Sequence, residues 1–234
     1  MTPSIATNKK ILFVHIPKCA GVSMAETLAA QTELIRIGPH AKCRDIFEPR
    51  GKLVREDYFA FSFIRNPWDR LVSTFFYILK GGRAEIDKQR RDKYLLKYQV
   101  DFKRFVLDIE SWFSLQEKNS IYPDKFIPHF RPQHEFICDE DGKIVVDFIG
   151  CVENMVPDFE RLCSHLALQK SRMSKTNKSS HRAYHKYYDE ETVNIVAEYY
   201  AKDIELFGYQ FEPEKSRLGR LFAGMGTGEW KKKL

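Results

Sequence analysis

Lys18 sits in the run Pro17-Lys18-Cys19-Ala20-Gly21-Val22-Ser23, a cation, small residues and a hydroxyl set between an apolar stretch and a helix-forming one. Those residue types suit the binding of an anion. The first turn of a helix carries unpaired backbone N–H groups and the positive end of the helix dipole, so a phosphate or sulfate there is stabilised by geometry already present. Gly21 lets the backbone close in, and Lys18 adds a mobile charge. A second pair, Arg65 and Ser73, falls in Arg65-Asn66-Pro67-Trp68-Asp69-Arg70-Leu71-Val72-Ser73. A guanidinium and a hydroxyl about two helical turns apart can converge on one phosphate. The alternative is that Arg65 pairs with Asp69 and Ser73 meets solvent. Proton transfer near neutral pH calls for histidine, and the chain has seven.

The elements that must hold these groups show as changes of hydrophobic period. Ile11 to Ile16 (ILFVHI) is a short apolar run stopped by Pro17, a core strand of a parallel sheet, and Met24 to Ala30 has good helix propensity. Tyr58 to Ile64 (YFAFSFI) is a second core strand; Asn66-Pro67 breaks it, and Trp68, Leu71, Val72, Phe75, Phe76 and Leu79 then recur with helical spacing. Arg65 therefore stands at the carboxyl end of its strand, where open α/β sheets bind ligands. Ile144 to Gly150 reads as a third strand, and Phe102 to Ile109 and Phe159 to Leu168 as short helices. Gly81 to Lys97, with a double Gly and dense charge, reads as a solvated loop and helix. Ser111 to Pro132 is an irregular covering segment whose Pro-rich end puts His129 and Arg131 on a loop. Alternation of strand and helix predicts the α/β class, a parallel sheet covered by helices.

The first loop is not a Walker A motif, which places its Lys after the second Gly and directly before the helix; Lys18 precedes Gly21. The order Pro17-Lys18, Gly21, Ser23 resembles the phosphosulfate-binding loop of sulfotransferases that use 3′-phosphoadenosine 5′-phosphosulfate (PAPS). Arg65 to Ser73 resembles the same family's 3′-phosphate motif. Pro128 to Gln133, Val145 to Gly150 with Glu153-Asn154, and Tyr184 to Phe211 with its Asp203…Phe207-Gly208-Tyr209 ending are similar to the carbohydrate sulfotransferases of the chondroitin and dermatan 4-O type and the heparan 2-O type. The likeness spans roughly residues 11 to 211.

That resemblance implies a P-loop-like three-layer α/β/α sandwich with a central parallel sheet. It implies transfer of the sulfuryl group of PAPS to a carbohydrate hydroxyl, with release of 3′,5′-ADP and no metal. Lys18 would touch the bridging oxygen, the loop through Ala20, Gly21, Val22, Ser23 and Met24 would hold the 5′-phosphosulfate, and Arg65 and Ser73 the 3′-phosphate. The polar stretch Gln169 to Arg182 would fold over the nucleotide and bring Ser179, with Lys178 and Ser180, to it. His40, after Ile37-Gly38-Pro39, matches a catalytic His of the heparan 2-O relatives and is the expected general base; His129 and Glu153 compete. His15 reads as a core histidine and His165 as a packing one. Gly81 to Lys97 would lie near the acceptor cleft, with Arg83, Lys97 and Arg131 as contacts for an anionic glycan or simply solvated cations. Gly228-Glu229-Trp230-Lys231 matches imperfectly the ending of cytosolic sulfotransferases, so residues 212–234 read as a basic tail.

With 234 residues, 43% of them hydrophobic, the chain suits one domain across 1–234. A net charge of +6 favours anionic ligands without the bias of a nucleic-acid binder. Cys19, Cys43, Cys138, Cys151 and Cys163 are odd in number, lack metal-ligand spacing and read as reduced thiols. The start MTPSIATNKK has no apolar core of a signal segment, so a cytoplasmic enzyme without a membrane span is expected. Rival classes are a nucleotide kinase-like enzyme, which lacks the Walker order here, and a non-catalytic anion or nucleic-acid binding module.

Overall fold

A computed structural model describes residues 4–33, 35–36, 40–111, 128–169 and 182–212. Its strands are β1 Ser4–Ala6, β2 Ile11–Phe13, β3 Ile35–Arg36, β4 Phe59–Ile64 and β5 Phe148–Cys151, in the sheet order β3-β1-β2-β4-β5. The helices are α1 Gly21–Ala29, α2 Cys43–Ile46, α3 Pro67–Leu79, α4 Glu85–Arg90, α5 Phe102–Leu107, α6 His134–Ile137, α7 Met155–His165, α8 Glu190–Tyr199 and α9 Ala201–Phe207. The α/β class expected from the alternation is the one found. β2, β4 and β5 run parallel, with Phe13 opposite Phe61 and Phe61 opposite Phe148.

The sheet is not parallel throughout. β1 pairs antiparallel with both β2 and β3, and the hairpin turns at Lys10, whose φ of 51° is left-handed. These strands are two or three residues long and carry no alternating pattern, so pairing, of β1 with β2 and of β3 with β1, makes them strands, not side-chain periodicity. β4 is the opposite case. Every residue from Ala60 to Ile64 is buried, which requires cover on both faces of the strand. Phe61 stacks on Phe13 with ring centroids 5.1 Å apart, and the Ser62 hydroxyl is satisfied by donating to the Val14 carbonyl at 2.8 Å.

Helix boundaries differ from the sequence reading for identifiable reasons. α3 starts where Asn66 caps it, its side-chain oxygen accepting from the N–H groups of Trp68 (3.1 Å) and Asp69 (3.3 Å), with Pro67 pre-set at the first position. α7 begins at Met155, four residues ahead of the expected Phe159, because Pro157 lies in the first turn, where its missing N–H costs nothing. The expected third strand divides. Ile144 bridges Cys138 and Val145 donates to the Ile137 carbonyl, and only Phe148–Cys151 joins the sheet. The closing segment is α8 and α9 with Tyr200 between them, its hydroxyl donating to the Phe130 carbonyl at 2.6 Å. Gly81 to Lys97 is less solvated than its charge suggests: Asp87, Leu95 and, just beyond, Tyr98 are buried. Residues 170–181 and the tail from 213 lie outside the described residues.

Candidate active site

β2 ends at Phe13, and the chain then turns through Pro17 to Ala20 into α1. Lys18 (φ 68°) and Ala20 (φ 57°) are both left-handed, a conformation that curls the backbone at the mouth of the helix. Ala20 is the N-cap residue and supplies no side-chain cap, and the first turn of α1 has no acidic residue. The Met24 N–H donates to the Ala20 carbonyl at 3.1 Å, so the open donors at this end are the amides of Gly21, Val22 and Ser23. Gly21 is needed for a reason the sequence did not disclose: a Cβ there would lie 1.8 Å from the His15 ring. The close approach is to a side chain of the protein itself.

Arg65, at the end of β4, meets this loop directly. Its Nη1 donates to the Lys18 carbonyl at 3.3 Å, while Nε and Nη2 fork onto Asp69 Oδ2 at 2.9 and 2.8 Å. The pairing with Asp69, which the alternative reading gave, is therefore present, and Arg65 also meets the anion loop. Ser73, on α3, is buried, not turned to solvent. Arg70, in the same motif, and Gln133, from the Pro128 to Gln133 stretch, do structural work that spacing alone left unread. Arg70, almost wholly buried, donates from Nε to the Pro17 carbonyl (3.0 Å) and from Nη1 to the Arg131 carbonyl (2.8 Å). Gln133 behaves like one more residue of a neighbouring strand: its side chain accepts from the Arg65 N–H and donates to the Arg65 carbonyl, both at 2.8 Å, and accepts from Cys19 Sγ. Asp203 in turn accepts from the N–H groups of Gln133 and His134 and meets the His134 ring at 2.7 Å.

The histidines separate by position. His15, His40 and His129 form a contiguous series, with ring centroids 5.2 Å apart for His15 and His40 and 5.3 Å for His40 and His129. His129 stacks on Tyr77 at 5.3 Å, and Lys18 Nζ lies 4.0 Å over that Tyr77 ring. Lys18 and the two competing bases are thus gathered into one patch by β2, α3 and the turn at residues 128–130. The Thr74 hydroxyl, from α3, donates to the His129 carbonyl at 3.2 Å and fixes that turn. Burial lowers the His40 pKa to about 4, and burial, then the neighbouring His40, Lys18 and arginines, push His129 well below its ordinary value. The His15 backbone partly offsets the effect of burial on His40, and His40 Nδ1 is buried with no hydrogen-bond partner among the described residues. His129 Nδ1 likewise lacks a partner among the described residues. Burial, with repulsion from Arg65 and Arg83, lowers the Lys18 pKa to about 8.

Glu153 is placed differently. Its carboxylate accepts from the Asn66 N–H at 2.6 Å and the Tyr209 hydroxyl at 3.2 Å, holding the turn after β4. Desolvation raises its pKa although part of the residue meets solvent, because the carboxyl tip is the part turned onto Asn66 and Tyr209. His165 stacks on Phe59, as a packing residue would. Arg131 pairs with Glu135 and Lys97 with Asp108. Ser179, Lys178 and Ser180 lie outside the described residues, as does the Gly228 to Lys231 stretch. Tyr77, Asp87 and Arg90 were missed by sequence reasoning; their only signal was a Tyr on α3 four residues after Ser73 and two acid–base residues spaced three apart in a charged stretch. Among the described residues no cluster of His, Cys, Asp and Glu has metal-binding geometry, and no helix is long and apolar enough to cross a membrane.

No solved structure matches this chain. An uncharacterized protein of Archaeoglobus fulgidus is 26% identical over 137 residues, 58% of this chain and 90% of that protein. Residues 4–210 match the sulfotransferase family. That span takes in β1 through α9, the uncapped start of α1 and the Arg65 junction, and it shows that the chain belongs to the sulfotransferase family, enzymes of sulfuryl transfer.

Proposed function

We propose that this chain transfers the sulfuryl group of PAPS to a hydroxyl of a carbohydrate and releases 3′,5′-ADP. One arrangement carries the reading: a lysine, a bare histidine nitrogen and an uncapped helix start meet at the carboxyl ends of β2 and β4. The residues fit an anionic nucleotide. The open amides of Gly21, Val22 and Ser23 and the left-handed curl at Lys18 and Ala20 suit a phosphosulfate at the 5′ end. Met24 contributes through the helix start, since its own N–H is committed to Ala20. Arg65 and Ser73 suit the 3′-phosphate, which competes with Asp69 for the guanidinium fork. Ser179 is the proposed contact from the segment before α8.

The nucleotide supplies an activated sulfuryl group whose transfer leaves charge on the departing phosphate. Lys18 is held where an ammonium can neutralise that charge, with Arg65 joined to its carbonyl. His40, neutral at physiological pH, would take the acceptor hydroxyl proton at Nδ1, which has no partner among the described residues. His129 is the neighbouring neutral base, and Glu153 is occupied with the turn at Asn66. Burial excludes water around both rings, which strengthens each charge interaction there.

The carbohydrate acceptor rests on the sequence resemblance. Incubating the protein with ³⁵S-labelled PAPS and a mixture of oligosaccharides and polysaccharides tests the reading. Label in saccharide, lost when Lys18 is replaced by Ala, is the expected result; label only in phenols, lipids or peptides contradicts the acceptor class.

A further inference from the structure

The insertion after α3 is built around one carboxylate that the chemistry above does not use. Asp87, 4% exposed, accepts at Oδ2 from the Tyr77 hydroxyl (2.9 Å) and the N–H groups of Arg83 (3.1 Å) and Ala84 (3.3 Å), and at Oδ1 from Arg90 Nη1 (3.1 Å). The Tyr77 hydroxyl also accepts from the Arg83 N–H at 3.2 Å. Gly82, at φ 56°, lets the chain wrap this closely, for a Cβ there would lie 2.3 Å from the Asp87 side chain. The hydroxyl end of Tyr77 is thereby fixed, and its ring lies between α1's loop and the histidines, in contact with Lys18 Nζ at 4.0 Å and stacked on His129.

We propose that Tyr77, clamped by Asp87, is a positioning residue that holds the Lys18 ammonium in place before the donor binds. The inference rests on the reading of the Lys18 loop as the donor's phosphosulfate site. A lysine side chain loses much rotamer freedom when it is ordered, and whatever orders it beforehand removes that cost from binding. An aromatic face does so without a counter-charge. Arg65 shows the contrast, since its fork is already taken by Asp69. Asp87 stands behind the ring, so its charge supports Lys18 without occupying the ammonium.

Calorimetric titration of 3′,5′-ADP into the folded protein tests this by a double-mutant cycle of Tyr77→Leu and Lys18→Met. Tyr77→Leu is expected to weaken affinity roughly 2- to 10-fold in the wild-type background and to change it negligibly when Lys18 is already Met. Tyr77→Phe keeps the ring face but loses the bond to Asp87, and is expected to weaken affinity less than Tyr77→Leu and, again, only where Lys18 is present. Equal losses in both backgrounds, or tighter binding by Tyr77→Leu, overturn the proposal. Should Tyr77→Leu fail to fold, Asp87→Asn, which loosens the ring while keeping its shape, runs the same cycle with the same criterion of non-additivity. A folded wild-type protein that does not bind 3′,5′-ADP refutes the donor reading, and this inference with it; binding with additive effects refutes this inference alone.

Discussion

Burial lowers the pKa of both Lys18 and His40: it leaves His40 neutral, as a base needs, but brings Lys18 close to losing the charge its role needs, and the two displacements set a pH profile. Lys18 is cationic below about 8 and neutral above it, so affinity for an anionic nucleotide and kcat/KM both fall as pH rises through that value. His40 carries no proton above about 4, so the base is already available and no loss is expected between roughly pH 5 and 7. A kcat/KM profile with an inflection near the ordinary histidine value would remove His40 from the role. Lys18→Ala is expected to lower kcat by roughly 100-fold or more, measured with saturating PAPS; a loss of only a few-fold would leave Lys18 as a binding group. His40→Ala should lower turnover while leaving 3′,5′-ADP affinity near wild type, and near-normal turnover would transfer the role to His129. At this scale Lys18, Arg65 and Ser73 were legible because a motif fixes residue type and spacing together. Tyr77 and Asp87 were not, because their value comes from a ring face and a buried carboxylate meeting across an insertion, a contact with no sequence period.

Elements place these groups through backbone bonds made by side chains. Gln133 extends β4 by pairing with both backbone groups of Arg65, and Asp203 on α9 fixes Gln133, so the closing helix reaches the anion loop through two hydrogen-bonded residues. Gln133→Ala leaves the Arg65 N–H and carbonyl unpaired and is expected to cost about 2–3 kcal/mol, read as a lower urea midpoint. Gly21→Ala drives a Cβ into the His15 ring and is expected to cost about 1–3 kcal/mol; unchanged stability would show that His15 can withdraw, and with it the support of His40. β2, β4 and α3 were readable because apolar runs and helical spacing reflect burial on known faces. The antiparallel β1 and β3 were not, since strands of two or three residues are decided by their partners. The early start of α7 was hidden by Pro157, a helix breaker everywhere except in a first turn.

Across the whole molecule, the parallel part of the sheet delivers the loop after β2 and the end of β4 to one end of the sheet, where α3, His40 and the residue 128–130 turn bring aromatic and histidine rings and α4 brings Asp87. The α/β class followed from alternation of strand and helix, whereas the joining of donor loop and histidines depended on contacts between segments as far apart as Lys18, Tyr77 and His129. A ligand that bridges these segments should stabilise them together, by about 2.7 kcal/mol at one hundred times its dissociation constant. The most direct measurement is therefore a thermal-shift series with 3′,5′-ADP, 5′-ADP, ATP with Mg²⁺ and an oligonucleotide, each at equal concentration. The largest rise in Tm is expected with 3′,5′-ADP, reduced in Lys18→Ala and in Arg65→Ala. Strongest stabilisation by ATP with Mg²⁺, with none from 3′,5′-ADP, would contradict the assignment of this site to PAPS.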